Sequence, residues 1–85
     1  MVQKDIVINP GSWLKAKSAA EFIQKASEYK SMIWVEKDDK KANAKSLLGL
    51  LALGIAPGAS VRLIAQGEDE DMALAALDTF MMHDI

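Results

Sequence analysis

The chain has 85 residues, of which 51% are hydrophobic and 26% charged, and its net charge is −2. This composition is typical of a folded domain, and the lack of cysteine excludes disulfides, thiolate metal sites and cysteine nucleophiles. The ten basic residues are spread along the chain rather than gathered in one stripe, so direct nucleic-acid binding is not expected. We predict a single domain over residues 1–85, without a cofactor or a metal.

The N-terminus lacks the apolar segment of a secretory signal. The longest apolar run, residues 47–56, is about half as long as a bilayer span. We therefore expect a soluble, cytoplasmic protein that does not enter the membrane.

The first third of the chain predicts a strand and a helix. Residues 2–8 alternate between the two faces of a half-buried strand, and the Asn9-Pro10-Gly11-Ser12 segment ends it. From about Lys15 to Glu28, apolar residues recur at intervals of three and four, which indicates a helix. Its predicted buried face consists of Ala16, Ala19, Ala20, Ile23 and Ala26.

The middle of the chain predicts two short strands and a short helix. Residues 32–35 form a mainly β-branched and aromatic run, Asp38-Asp39 favours a turn, and residues 40–43 would return antiparallel. Ser46 precedes an apolar run that Gly54 ends, so it is the predicted N-cap of a helix of about two turns. The five leucines of this run cover nearly the whole helix circumference, so some of them should be exposed.

The last third predicts a strand over residues 61–65 and a final helix. Four acidic residues at 68–71 lie where the positive end of that helix begins. Its apolar positions are Met72, Ala73, Ala76, Leu77 and Phe80. The predicted order is βαββαβα, an α+β fold with a four-stranded antiparallel sheet and three helices on one face.

Four segments in this order carry a resemblance to HPr, the histidine-containing phosphocarrier of the bacterial sugar phosphotransferase system. They are Trp34-Val35-Glu36-Lys37-Asp38, Asn43-Ala44-Lys45-Ser46, Leu53-Gly54-Ile55 and Gly67-Glu68-Asp69-Glu70. The similarity runs in register over essentially all of the chain. It implies the HPr-like open-faced β-sandwich and a small phosphocarrier-like protein rather than an enzyme.

The chain departs from HPr in the segment that carries the phosphohistidine. HPr proteins read Gly-Leu-His-Ala-Arg-Pro-Ala-Ala at the start of the first helix, whereas this chain reads Trp13-Leu14-Lys15-Ala16-Lys17-Ser18-Ala19-Ala20. In this register Lys15 stands at the histidine position, Lys17 at the arginine position and Ser18 at the proline position. The single histidine, His83, belongs to the end of the last helix and does not replace the missing one. The resemblance therefore assigns no catalytic residue.

A lysine is a poor substitute for the histidine. An ammonium group has no lone pair, and deprotonating it at pH 7 from a pKa of about 10.4 costs about 4.6 kcal/mol. A helix N-terminus disfavours a cation by only about 0.3 to 1 kcal/mol, so Lys15 would stay protonated. Lys15 and Lys17 are either solvated lysines or, with the first-turn amides, an anion site for partners.

The resemblance gives Ser46 a second interpretation besides that of an N-cap. In Gram-positive HPr and in the Crh (catabolite-repression HPr) type, which also lacks the histidine, the serine in this context is phosphorylated by HPr kinase/phosphorylase. The phosphoprotein then binds a LacI-type catabolite repressor. By the same resemblance, Leu47, Leu48 and Leu51 match partner-contacting positions, with core packing as the alternative for each. Lys45 is either a recognition residue for the kinase or a surface lysine.

Three functions follow. The leading hypothesis is a regulatory module, phosphorylated on Ser46 and unable to relay phosphoryl groups. The second is a carrier in the phosphoenolpyruvate-dependent sugar phosphotransferase system, working with the general phosphotransferase enzymes through another residue. The third is a decoy domain that occupies HPr-binding partners without being phosphorylated. We expect a monomer or a weak dimer.

Overall fold

The computed structural model describes residues 1–7, 16–54 and 59–82, without the side chains of residues 16–18 and 82. The elements are β1 (Val2–Val7), α1 (Ala16–Ala26), β2 (Met32–Lys37), β3 (Lys40–Asn43), α2 (Leu47–Ala52), β4 (Ser60–Gln66) and α3 (Glu70–Met82). This order confirms the predicted βαββαβα arrangement. The predicted first helix is too long at its C-terminal end, because residues 27–30 form turns and bends.

The four strands form one antiparallel sheet in the order β1-β4-β2-β3. Asp38 and Asp39 join β2 to β3 with positive φ values of 49° and 67°, which confirms the predicted turn. Two successive positive φ values match the twist of a hairpin, and aspartate adopts them more readily than most residues do. The hairpin brings the chain back past Ile33, whose carbonyl accepts from the Ala44 N–H at 2.8 Å.

The core lies between one sheet face and the helices. Helix α3 packs against β1 and β4, α2 packs against β3, and α1 packs against the other two helices. The larger core side chains are Ile6, Phe22, Ile33, Val35, Leu50, Leu53, Val61, Leu63, Leu77 and Met81. The opposite face carries the exposed Met32 and an exposed Arg62, whose guanidinium pairs with Asp5 (2.9 Å) and Glu36 (3.7 Å). The protein is thus the open-faced α+β sandwich that the sequence predicts.

Two predicted helix faces need correction. On α1, Ala20 is exposed and Phe22 is fully buried, where its ring lies 5.9 Å from that of Phe80. On α3, Met72 is exposed and Met81 is buried. In each case the actual buried stripe is displaced around the helix from the predicted one, because small or flexible residues satisfy several helical spacings and only packing selects one of them. Among the described residues, none of the helices has the length and apolar character that a bilayer span requires.

Candidate functional site

Helix α2 begins at Ser46, as predicted. Ser46 has an extended backbone (φ −117°, ψ 116°), and its hydroxyl oxygen accepts from the Gly49 N–H at 3.2 Å. Its carbonyl accepts the first helical bond, from the Leu50 N–H at 3.0 Å. The Ser46 side chain therefore satisfies one of the amides that a helix start leaves unpaired.

Gly49 leaves room for the Ser46 hydroxyl. A Cβ atom at position 49 would lie 3.3 Å from the Ala42 Cβ and 3.4 Å from the Ser46 Oγ. Glycine within a helix is less favourable than alanine by about 1 kcal/mol. Gly49 therefore lowers the stability of the helix but avoids a close contact at this position. The crowding is between α2, its own N-cap and strand β3.

The leucines of α2 divide into two sets. Leu50 and Leu53 are buried in the core, whereas Leu47, Leu48 and Leu51 are exposed to 40%, 81% and 48%. The expectation that some of these leucines stay exposed is confirmed. We call Leu47, Leu48 and Leu51 the leucine patch. An apolar patch beside a hydroxyl at a helix start is suited to binding another protein.

Lys45 is engaged inside the protein. Its ammonium donates to the Tyr29 carbonyl at 2.8 Å and to the Ser31 carbonyl at 3.1 Å, and the residue is half-buried. Its backbone N–H donates to the Asn43 Oδ1 at 2.8 Å. A cation beside the carbonyls that follow α1 is a favourable arrangement. Besides the two predicted roles, kinase recognition and a surface position, Lys45 thus has a structural role within the protein.

Ser31, whose carbonyl Lys45 contacts, is itself held by Asp69, the residue directly before α3. The Asp69 carboxylate accepts from the Lys30 N–H (2.9 Å), the Ser31 N–H (3.0 Å) and the Ser31 hydroxyl. These bonds, led by the one from the Ser31 hydroxyl, hold the pKa of Asp69 below its usual value. Gly67 packs so closely that an added Cβ would lie 2.7 Å from the Ser31 Cα. We call Ser31, Gly67 and Asp69 the Ser31–Asp69 junction.

A second lysine reaches the other end of α2. The Lys37 ammonium donates to the Gly54 carbonyl at 3.2 Å, and Gly54 has a φ of +62°. Glycine adopts this conformation without strain, which suits the end of a helix. Lys37 and Lys45 thus both bind carbonyls of neighbouring segments.

The predicted anion site at the start of α1 is outside the described contacts. Lys15 and His83 lie outside the described residues, and for Lys17 and Ser18 the backbone alone is described, in the first turn of α1. The role of Lys15 and Lys17 in partner binding stays a prediction. Within the described part of the chain, there is no group of three or more His, Asp or Glu side chains placed to hold a metal ion.

Sequence reasoning missed the Ser31–Asp69 junction and the role of Lys37. The helix dipole and the resemblance to HPr are the two interpretations that the sequence offers for the Gly67-Glu68-Asp69-Glu70 segment, and neither indicates a contact with Ser31. The Glu70 carboxylate accepts from the Gly67 N–H at 3.0 Å, a local bond between residues three positions apart. Asp69 instead reaches a residue 38 positions away, and no local pattern encodes that contact.

Sequence comparison finds relatives along the whole chain. The profile of the PTS-HPr family, described as the PTS HPr component phosphorylation site, matches residues 2–83. The HPr-like protein Crh of Bacillus subtilis is 42% identical over 85 residues, which is 100% of each chain. The phosphocarrier protein HPr of Neisseria meningitidis serogroup A is 39% identical over 77 residues, covering 91% of this chain and 86% of the relative.

Solved structures agree with these relatives. A crystal structure of HPr-C-His from Thermoanaerobacter tengcongensis superposes with a TM-score of 0.92 at 45% identity, covering 96% of this chain and 92% of the other. A crystal structure of Bacillus subtilis Crh, described as a swapped dimer, has a TM-score of 0.80 at 42% identity, covering 100% and 98%. With the matching fold and the full-length relatives, this chain belongs to the HPr family of small, non-enzymatic phosphocarrier and regulatory proteins, as an HPr-like protein of the Crh type.

Proposed function

We propose that this protein is a regulatory module of the catabolite-repression type that acts in the cytoplasm. HPr kinase/phosphorylase phosphorylates Ser46, and the phosphoprotein binds a LacI-type repressor. The observation that carries the proposal is the position of the Ser46 hydroxyl at the start of α2, directly beside the exposed leucine patch. A partner can contact the modified residue and the apolar area together.

The chemical step is a phosphoryl transfer. The Ser46 Oγ attacks the γ-phosphorus of ATP, the bond to the bridging oxygen of ADP breaks, and the hydroxyl proton passes to a base of the kinase. The product carries about −1.5 to −2 charges next to the Gly49 N–H. Such a charge at a helix start stabilises it by about 0.3 to 1 kcal/mol when exposed. Phosphorylation should therefore change the surface of the protein without refolding it.

The test is direct. We expect intact-mass analysis after incubation with an HPr kinase and ATP to show one added phosphoryl group, and Ser46→Ala to remain unmodified. Ser60→Ala, at an exposed serine of β4, is the matched control and should be modified like the wild type. An unmodified wild type in the presence of active kinase, or a label that survives Ser46→Ala, would refute the assignment.

The leucine patch should contribute to repressor binding rather than to modification. Leu47→Ala and Leu48→Ala should still be phosphorylated, yet bind a LacI-type repressor more weakly in titration. The apolar side chains supply contact area, and the phosphate supplies charge-assisted hydrogen bonds. We further propose that Lys15 and Lys17 contact the same partners through their charges.

We also propose that the chain does not act as a phosphohistidine carrier, because lysine stands at position 15. Lys15→His alone should restore little transfer from phosphoenolpyruvate through the general phosphotransferase enzymes. Lys15→His, Lys17→Arg and Ser18→Pro together should restore more, since they rebuild the whole family segment. An acid-labile label on the wild type would contradict this. Full transfer by the single variant would show that residues 17 and 18 matter little.

Two further assignments belong to the proposal. If the wild type is not phosphorylated, the exposed leucine patch still supports a decoy domain that occupies HPr-binding partners. Because Bacillus subtilis Crh crystallises as a swapped dimer, we propose for this chain a monomer in equilibrium with a weak dimer. Light scattering over a range of protein concentrations tests the second point.

A further inference from the structure

We infer that Lys45 is a positioning residue for Ser46, acting through the backbone rather than by contact with the kinase or the phosphate. The inference rests on the proposed phosphorylation of Ser46, which it deepens. The two bonds from the Lys45 ammonium, which we call the Lys45 tether, join the segment before α2 to Tyr29 and Ser31 in the connection between α1 and β2. The kinase would then meet a Ser46 hydroxyl whose location is already fixed.

Four hydrogen bonds converge on the short segment of Lys45 and Ser46. The Lys45 ammonium donates to the Tyr29 and Ser31 carbonyls, and the Lys45 N–H donates to the Asn43 side chain. The Ser46 N–H also donates to the Asn43 carbonyl at 3.0 Å. The backbone that presents Ser46 is therefore held by its own turn and, through Lys45, by a second part of the chain.

The side chains of Lys45 and Ser46 bind different parts of the protein. The Ser46 hydroxyl faces Gly49 of α2, whereas the Lys45 ammonium ends at the carbonyls of residues 29 and 31. The Lys45 ammonium is thus bound to the connection between α1 and β2, where two of its three N–H donors are engaged. Lys40 of β3, by contrast with the half-buried Lys45, is exposed.

The far end of the tether, at Ser31, is itself held by hydrogen bonds. Ser31 is buried, and its hydroxyl and N–H both donate to the Asp69 carboxylate. Gly67 packs against it without space for a Cβ. A tether fixes a segment only if its far end is itself fixed, and the Ser31–Asp69 junction meets that condition. The Ser46 segment is connected in this way to the start of α3.

Removing the tether should lower the fraction of molecules with a correctly placed Ser46. Two hydrogen bonds from a half-buried ammonium are lost, and the freed carbonyls no longer have this partner. Since an apparent affinity falls with the competent fraction, the KM of the kinase for the protein should rise about tenfold while kcat stays close to the wild-type value.

The experiment compares Lys45→Met with Lys40→Met, which removes the same charge from a nearby exposed site. Hydrogen exchange is measured on the unmodified proteins, at the Gly49 and Leu50 amides and at the amides of β4 as a reference for global stability. We expect Lys45→Met to speed exchange at Gly49 and Leu50 about tenfold relative to β4, and Lys40→Met to leave it unchanged. Lys45→Gln is a second variant with the same expected direction if the methionine variant does not fold.

The two hypotheses fail in different ways. If the wild type is not phosphorylated, the proposed function fails, and the exchange measurement still decides whether Lys45 holds the segment. If Lys45→Met raises KM but leaves exchange at Gly49 and Leu50 unchanged, Lys45 contacts the kinase and the inference is wrong. It is equally wrong if both KM and exchange match the wild type.

Discussion

Helices α2 and α3 begin in contrasting ways. At the start of α3, the Asp69 carboxylate accepts hydrogen bonds from Ser31, and the Glu70 carboxylate accepts one from the Gly67 N–H. At the start of α2, the Ser46 hydroxyl makes one local bond to Gly49, and the neighbouring leucines are exposed. The difference separates two tasks. The start of α3 connects distant parts of the fold, whereas the start of α2 leaves its polar and apolar groups accessible to a partner.

The largest expected effect concerns the close packing at the start of α3. In Gly67→Ala the new Cβ would lie 2.7 Å from both the Cα and the Oγ of Ser31, and the φ of Gly67 is +152°. We expect the free energy of unfolding to fall by about 2 to 4 kcal/mol. Urea denaturation measures it.

Gly54→Ala is the matched control for this prediction. Gly54 also has a positive φ, of +62°, but apart from its chain neighbours no heavy atom of the described residues lies within 4 Å of the added Cβ. Its substitution should cost only about 1 to 2 kcal/mol, from backbone conformation alone. Equal losses in the two variants would show that the contact with Ser31 adds nothing.

The next prediction concerns the pH dependence that Asp69 contributes. Its pKa is lowered chiefly by the hydrogen bond from the Ser31 hydroxyl and then by the Lys30 N–H, so the fold favours the ionised form. The resulting stability is present above the unfolded pKa of about 3.9 and is lost as the pH falls through the lower folded pKa. Asp69→Asn should therefore lower Tm at neutral pH and show a smaller further fall below about pH 4.

Thermal melts between neutral and acidic pH test this sign. Asp71→Asn removes an exposed carboxylate from the same helix start and should keep the acid sensitivity of the wild type. The pKa of Glu70 is also lowered, chiefly by the hydrogen bond from the Gly67 N–H. Glu70 therefore adds to the loss of stability at acidic pH in the wild type and in both variants. Parallel pH curves for the wild type and Asp69→Asn would show that the Asp69 bonds do not stabilise the fold.

The same contrast explains what the sequence could predict. The start of α2 is encoded locally, since Ser46, the apolar run and Gly54 follow one another closely in the chain, and the predicted N-cap is confirmed. The Ser31–Asp69 junction and the Lys45 tether join residues 38 and 14 or more positions apart, so neither periodicity nor capping rules indicate them. They depend on the packing of the finished fold.

The helix faces show a related limit. The predicted buried face of α1 includes Ala20 and omits Phe22, although Phe22 buries far more apolar surface. A prediction weighted by side-chain size would have selected it. The local sequence does not indicate that Met72 is exposed and Met81 is buried, because both are methionines near the apolar stripe of α3.

A smaller effect is expected at the start of α2. Ser46→Ala removes the hydroxyl that accepts from Gly49 and should lower the free energy of unfolding by about 1 kcal/mol. Ser46→Asp should keep most of the stability that the N-cap contributes, because a carboxylate also caps a helix start. Denaturation of both variants, with Ser60→Ala as an exposed control, measures the effect. A loss at Ser46→Ala as large as that at Gly67→Ala would contradict the view that the Ser46 hydroxyl makes only one local bond.

The smallest effect on stability, and the one that most directly separates binding from folding, is expected for Leu48→Ala. Leu48 is exposed to 81%, so truncating it removes little buried area and should change the free energy of unfolding by less than about 0.5 kcal/mol. If the leucine patch binds the repressor, the same variant should lose at least about fivefold in affinity after phosphorylation of Ser46, the loss typical of a contributing interface residue. Met72→Ala is the matched control, since Met72 is similarly exposed but belongs to α3. If both variants bind like the wild type, the exposure of Leu48 does not serve this partner. If both weaken binding equally, the effect comes from surface hydrophobicity in general, and the contrast between the two helix starts does not extend to recognition.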